Sequence, residues 1–467
     1  MTHAAGRRAE LSRATVLILA LTCAVAVGNI YFPQAVSPLI ATGLGTSPDT
    51  ASLAVTATQI GYTAGMFLLV PLGDRLPHRP FIVTLLALSG AALLAAGCAP
   101  ALPYLLGAGL CVGVTTVAAQ VIAPMAAGLV APDRRGAVMG TLLSGSIGGM
   151  LLARTFSSTL GERLGWRAPY LAAAVVVLLL SAVLARTLPA TTPSSRSPYG
   201  TLLADALRLL RDERELRRSC LYQAAVFGGF SAVWTCLALL LTGPAYGLGT
   251  EAVGLLALVG GVTMLCTPLA GRLVDRRGPD GVNLVCLVGV LLAAAVLVAG
   301  ARGGVSGMVA LTVGTLLLDV ALQCGTVANQ ARVFGVRPDA RGRLNTAYMT
   351  CAYLGGSAGS WLGVRTYGLA GWPGVCGLVA VLAALALAFH RAAAAGRGAE
   401  RGGARPGHVR TGPSKSAGRA ARVAQAVAVR VAERRGMAKA SSSARVRPVR
   451  EVTSSMPTAP QSRPRTR

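Results

Sequence analysis

Four short landmarks occur twice in this chain, in the same order and at nearly the same spacing. Leu72-Gly73-Asp74-Arg75-Leu76-Pro77-His78-Arg79 is echoed by Gly271-Arg272-Leu273-Val274-Asp275-Arg276-Arg277-Gly278. Pro132-Asp133-Arg134-Arg135-Gly136 returns as Pro338-Asp339-Ala340-Arg341-Gly342, Gly148-Gly149 as Gly355-Gly356, and Gly165-Trp166 as Gly371-Trp372. Such agreement makes the chain two copies of one unit. The charged landmarks separate segments of 18 or more mostly apolar residues, the pattern of helices that cross a bilayer. Composition agrees: 53% of residues are hydrophobic and 13% charged, about half the charged fraction of a soluble domain.

The apolar segments predict an all-α membrane protein of twelve transmembrane helices in two pseudo-symmetric six-helix bundles. Spans 1–6 fall at roughly 14–37, 50–72, 81–99, 102–130, 137–160 and 168–188. Spans 7–12 fall at roughly 219–242, 252–271, 282–300, 306–331, 344–364 and 372–390. Each is near the ~20 residues that a ~30 Å hydrocarbon core requires, and helices satisfy their own backbone in lipid. The even-numbered loops hold Arg75, Arg79, Arg134, Arg135, Arg272, Arg276, Arg277, Arg332, Arg337, Arg341 and Arg343; the odd ones hold only Arg163, Arg167, Arg302 and Arg365. Both termini are therefore expected in the cytoplasm of a bacterial inner membrane.

The expected parts are a cytoplasmic N-terminus (1–13), a first bundle (14–188), a central linker (189–218), a second bundle (219–390) and a tail (391–467). Leucines and arginines over Leu202–Leu216 give the linker an amphipathic helix, expected to lie on the anionic leaflet. The tail is rich in Arg, Ala, Gly, Ser and Pro, has no aromatic residue, and reads as disordered. Past His390 it holds eighteen Lys+Arg against three acids, more than half of the net charge of +27. That placement argues against a nucleic-acid partner. Ten cysteines lie in or beside apolar runs with no CxxC pair, so no metal or disulfide framework is indicated. The basic residues Arg7, Arg8 and Arg13 precede a run too long for a signal peptide, which reads as span 1. Four scattered histidines and the absence of Walker, HExxH or GxSxG patterns in context speak against an enzyme, a cofactor or ATP-driven transport.

The second turn fits the signature G-x-L-x-D-R-x-G of the major facilitator superfamily at Gly271, Leu273, Asp275, Arg276 and Gly278, and the whole pattern resembles that family over about residues 12–390. Gln59-Ile60-Gly61-Tyr62, Pro71-Leu72-Gly73-Asp74-Arg75, Leu151-Leu152-Ala153-Arg154-Thr155, Gly165-Trp166-Arg167 and Arg343-Leu344-Asn345-Thr346 resemble its bacterial branch of sugar, nucleoside or drug efflux permeases. In the first turn Val70 and Pro77 stand where the signature has glycines. Gly109 stands where many family antiporters carry a basic residue in span 4. The resemblance implies a cavity lined by spans 1, 4, 7 and 10, and contacts between halves at spans 2/11 and 5/8.

Transport needs a polar lining, a gate and a titratable group. Asp319 is the carboxylate placed deep in a span, and Arg154 in span 5 is the basic group that could match it. Together they are the expected proton-coupling or substrate residues, with Arg154 expected nearer the outer end. Asn29, Tyr31, Gln34, Gln120, Gln223, Trp234, Gln323 and Asn329 are the expected cavity lining, suited to a neutral or amphipathic solute. Asp74 and Asp275 can meet the N–H groups that begin a helix of the other half. With Arg75, Arg79, Arg134, Arg135, Gly271, Arg276, Gly278, Arg341 and Arg343 they form the expected gate. Gly61-x-x-x-Gly65, Gly145-x-x-x-Gly149 and Gly355-x-x-x-Gly359-x-x-x-Gly363 are expected where the halves slide. The resulting expectation is a monomeric secondary transporter in contact with lipid, exporting a small organic solute against protons. The alternatives are an importer of the same fold and, further off, a membrane receptor or enzyme.

Overall fold

The computed structural model describes residues 11–131, 134–189, 198–337 and 340–403. Pro132, Asp133, Pro338, Asp339 and the tail past 403 lie outside them. Two units are delimited, Met1–Gly396 and Arg397–Arg467, and every span lies in the first.

All regular elements among the described residues are helical. Span 1 is α1 (Arg13–Gly28) and α2 (Phe32–Leu44), and span 2 is α3 (Pro48–Ala51) and α4 (Leu53–Gly73). Span 3 is α5 (His78–Gly97), and span 4 is α6 (Leu102–Thr115) and α7 (Ala118–Leu129). Spans 5 and 6 are α8 (Arg135–Leu164) and α9 (Ala168–Thr187), followed by the linker helix α10 (Tyr199–Asp212) and by α11 (Arg214–Thr242), span 7. The rest are α12 (Glu251–Gly260), a 3-10 turn (Gly261–Leu265), α13 (Cys266–Val298), a second 3-10 turn (Ala299–Arg302), α14 (Gly304–Val336) and α15 (Arg341–Gly403).

Nine of these helices are long and apolar enough to cross a membrane, or ten counting the α1–α2 pair, bent by 44°, as one crossing. The twelve expected crossings follow from where two landmark glycines turn the chain. Gly278 (φ 73°, ψ 164°) divides α13, so its first part completes the crossing begun by α12 and its second part is span 9. Gly371 (φ 61°, ψ −154°) divides the 55-residue apolar part of α15 into spans 11 and 12. Both positions need the positive φ that glycine adopts without strain. Exposed side chains such as Leu17, Leu179, Leu255 and Leu385 cover the outside of the bundle, as lipid contact requires.

Three expectations change. Span 1 is not one straight helix: it breaks after Gly28, and Pro33, which has no N–H to give, starts its second piece. The linker helix turns its apolar face to protein rather than to a leaflet. Leu202, Ala206 and Leu209 are buried, and the latter two pack with Leu216, Val333, Leu344 and Tyr348. The glycine stripes do not mark the seam between halves. Cβ atoms on Gly61 and Gly65 would meet the Leu110 and Val114 carbonyls of span 4, and on Gly145 and Gly149 the Ala20 and Ala24 carbonyls of span 1. Gly355 and Gly359 likewise face Ala224 and Gly228 of span 7. In lipid, where apolar association gains little from water, such close backbone packing holds each half together.

Candidate functional site

The arginine-rich loops define one face of the bundle, called here the basic face; the other is the far face. A cavity of about 170 Å³ lies between the halves, walled by Val27, Tyr31, Gln120, Ser146, Met150, Gln223, Phe227, Gln323, Thr326, Gln330, Met349 and Tyr353, among others. Its residues on spans 4, 5, 7, 10 and 11 come from the part of each helix nearer the basic face. No lining residue carries a charge. Gln120 Nε2 donates to Tyr62 Oη at 3.2 Å, and Gln223 Nε2 donates to Thr326 Oγ1 at 2.9 Å. Asn329 stands behind Gln223, donating to its Oε1 at 3.4 Å. Of the expected lining, Tyr31, Gln120, Gln223 and Gln323 face this cavity, whereas Asn29, Gln34, Trp234 and Asn329 lie outside its wall.

The expected charges sit deeper, beyond an aromatic layer. Tyr353 packs on Phe227 and Tyr62 with ring centroids 4.9 and 4.4 Å apart, Phe227 stacks on Phe230 at 5.6 Å, and Phe230 meets Trp234 at 6.2 Å. Behind this layer Arg154, 1% exposed, donates from Nε to Gln34 Oε1 at 3.0 Å. Its Cζ lies 4.2 Å from the Trp234 ring centroid and 4.8 Å from that of Tyr31. Such contacts are worth about 2 kcal/mol when desolvated. Asp319, 5% exposed, accepts from Trp234 Nε1 at 3.2 Å. Gly260 makes room for it, since a Cβ there would lie 2.9 Å from Asp319 Oδ2. Arg154 and Asp319 form no ion pair with each other; the Trp234 indole touches both, the cation on its face and the carboxylate at its N–H.

On the far face the halves are joined. Glu162, near the end of span 5, accepts through Oε2 from Thr250 N at 3.0 Å and Thr250 Oγ1 at 2.6 Å, where α12 begins. Thr155 Oγ1 donates to the Gly254 carbonyl at 2.8 Å, and a Cβ on Gly254 would meet Ser158 Oγ at 2.3 Å. Nearby, hydroxyl pairs join span 2 to span 11, Thr56–Ser360 at 3.2 Å and Thr63–Ser357 at 3.4 Å.

Among the described residues Asp74 and Asp275, the carboxylates of the expected gate, form no ion pair across the basic face. Arg343 is paired instead with Asp205 of the linker helix at 2.6 Å, and Tyr199 Oη of the same helix donates to the Leu68 carbonyl at 2.7 Å. Partial burial lifts the Asp74 carboxyl above the usual carboxylate range, while the charges of His78 and Arg343 pull it back. Arg79 donates to the Ala185 carbonyl of span 6. Arg75, Arg135, Gly271, Asp275, Arg276, Gly278 and Arg341 belong to the turns and helix starts of this face, and Arg134 begins span 5 there.

Residues absent from the sequence expectations include Glu162 and a four-charge cluster near the basic face. There Arg218 bonds Glu215 at 3.0 Å and Asp280 at 3.1 Å, and Arg332 bonds both acids. Arg332 had counted only as a loop cation. The acids at Glu215 and Asp280, so near Arg217-Arg218 and Arg276-Arg277, were the available signal.

The profile of the Major Facilitator Superfamily matches residues 17–360. The transporter YgaY of Escherichia coli O157:H7 is 33% identical over 391 residues, 83% of this chain and 98% of its own. A chloramphenicol resistance protein of Streptomyces lividans is 30% identical over 267 residues, 56% of this chain and 66% of its own. A solved structure of a mutant of the nucleoside transporter NupG superposes with a TM-score of 0.65 at 14% identity, covering 80% of this chain and 99% of that one.

Proposed function

The chain belongs to the Major Facilitator Superfamily and is a multi-pass membrane transporter, and from that premise we propose that it exports a small, uncharged organic solute in exchange for protons. The observation that carries the reading is the cavity between the halves, with its uncharged wall of glutamines, tyrosines and methionines and its buried Asp319 beyond. A solute with hydroxyl or amide groups on one side and an apolar face on the other fits that wall. The chloramphenicol resistance protein and NupG have names that point to solutes of this kind.

In this reading the basic face is cytoplasmic, in a bacterial inner membrane, and both termini lie inside. The cavity receives solute from the cytoplasm while the Glu162–Thr250 and hydroxyl contacts keep the far face shut. Rocking of the halves then breaks those contacts and closes the basic face, where Asp74 and Asp275 meet the starts of spans 11 and 5 with Arg343 and Arg135 beside them. Asp319 takes its proton while it faces outward and releases it inward. Arg154 supplies the charge that makes release favourable. One chain suffices for this cycle.

The test is internal pH in everted vesicles as chloramphenicol, uridine or D-xylose is added, for the wild type and Asp319→Asn. Solute-dependent proton release in the wild type, absent from the variant, is the expected result. Release that is equal in both proteins removes Asp319 from the coupling. Solute movement with protons in the same direction makes the protein an importer.

A further inference from the structure

Arg154 and Asp319 belong to opposite halves, and Trp234 touches both. Its N–H donates to Asp319 Oδ1 at 3.2 Å, and the face of the same ring carries the Arg154 guanidinium at 4.2 Å. Trp234 is fully buried, wedged by Phe230 at 6.2 Å. Among the described residues this N–H is the one hydrogen bond that the Asp319 carboxylate receives. The other carboxylate oxygen abuts Gly260 of span 8, which offers no side chain. Span 5 contributes Arg154 as the charged group whose field reaches Asp319, span 7 contributes only the indole, and span 1 contributes the uncharged Tyr31 against Arg154.

We propose that Trp234 is the positioning residue that ties the protonation of Asp319 to the placement of Arg154, and so to the relative position of the two halves. The proposal rests on the reading of Asp319 as the proton carrier. A cation on the face of an indole draws density from the ring and makes its N–H a better donor. With Arg154 stacked, the carboxylate is favoured twice, by the cation and by the strengthened hydrogen bond. Rocking carries Arg154 away on span 5, while Trp234 stays with Asp319 in the second half. The carboxylate then loses the cation and takes a proton from water. Trp234 itself exchanges no proton. It keeps cation and carboxylate close enough to sense each other, yet apart, so that neither is trapped in an ion pair that would resist the transition.

The chain has four tryptophans, so the indole can report on its own surroundings. Fluorescence of the purified full-length protein is recorded from about pH 5 to pH 9 for the wild type, Trp234→Phe, Asp319→Asn, Arg154→Gln and Arg154→Lys. The emission lost in Trp234→Phe should follow one titration step in the wild type and should be flat in Asp319→Asn. In Arg154→Gln the step should move to higher pH by about one unit or more, the size expected for removing a nearby opposite charge. Arg154→Lys keeps the charge and should move it less. A Trp234 signal without a step, a step that survives Asp319→Asn, or a step that Arg154→Gln leaves in place overturns the proposal. Transport supplies the second readout. Trp234→Phe keeps an aromatic face and loses the N–H, so it should retain solute counterflow but lose several-fold in pH-driven transport; equal loss of both makes the residue merely structural and overturns the proposal too. If vesicles of Asp319→Asn still release protons, the proton-carrier reading fails, whatever the fluorescence shows.

Discussion

Replacing Glu162 by alanine should open the far face, and the size of the effect can be worked from two hydrogen bonds. Glu162 Oε2 accepts from the Thr250 backbone N–H and from Thr250 Oγ1, joining the end of span 5 to the first turn of α12. A hydrogen bond to a charged group contributes about 1.5–3 kcal/mol when it is buried. Here the carboxylate is exposed, so water and salt screen it and the pair together contribute about 2 kcal/mol. At about 1.4 kcal/mol per tenfold, its loss shifts the equilibrium between closed and open far faces by about 30-fold. The neighbouring Arg163–Glu251 pair at 3.7 Å is exposed on both sides and compensates little. Hydrogen exchange of the full-length protein in lipid nanodiscs reads the outcome without any label. Peptides covering the end of span 5 and the start of α12 should lose protection by about that factor. Peptides at the start of span 11, on the basic face, should gain protection, because one face closes as the other opens. Faster exchange confined to the first turn of α12 would refute the reasoning: Glu162 would then cap a helix without holding the halves together.

Gly149→Val places a Cβ 2.0 Å from the Ala24 carbonyl, so spans 1 and 5 must part; overpacking of this kind costs about 1–3 kcal/mol. The melting temperature should fall clearly, whereas Gly148→Val, with nothing within 4 Å of its Cβ, should melt like the wild type. Asp205→Asn frees Arg343 from a half-exposed ion pair worth about 0.5–1 kcal/mol. Arg343 can then turn to Asp74, and exchange protection on the basic face should rise about two- to fivefold. The Asp74 carboxyl is raised by burial, so its ionised form is disfavoured here and the penalty is relieved as pH falls through the raised value. Acidification should therefore favour this conformation, and Asp74→Asn should remove that part of the pH dependence of exchange.

The repeat, the crossings and the loop charges were legible in the sequence because they are properties of neighbouring residues. Gly278 and Gly371 show the limit of that legibility. Gly371 recurs with Gly165 and Gly278 closes the signature of the second turn, and the structure gives the physical reason for both, a positive φ that turns the chain between crossings. The break in span 1 was visible only as Pro33 inside an apolar run. Whether a proline kinks a helix or starts a new one depends on what packs beside it. The linker helix was legible as amphipathic, but an apolar face is equally suited to lipid and to protein. Val333, Leu344 and Tyr348, far along the chain, decided between them.

The candidate site divides along the same line. A lone carboxylate and a lone guanidinium in apolar spans announce themselves, so Asp319 and Arg154 stood out as candidates. That a tryptophan 85 positions before Asp319 should touch both of them has no local trace, because an indole in an apolar helix looks like any other large side chain. Glu162 failed to stand out for the opposite reason: it sits among charges at a span end, where an acid is ordinary. The glycine stripes argue the point most sharply. Spacing of four along a helix records that some backbone comes close, and it does, at 2.0–2.4 Å from the Cβ positions of Gly145, Gly149, Gly355 and Gly359. It does not record which backbone. Those stripes bind spans 5 and 11 within their own halves, while the close approach between span 5 and span 8 falls to the isolated Gly254 against Ser158. A seam that opens and recloses, as the proposed cycle requires, is better served by one glycine among hydroxyls, whose bonds can pass to water, than by a stripe whose packing has no such replacement.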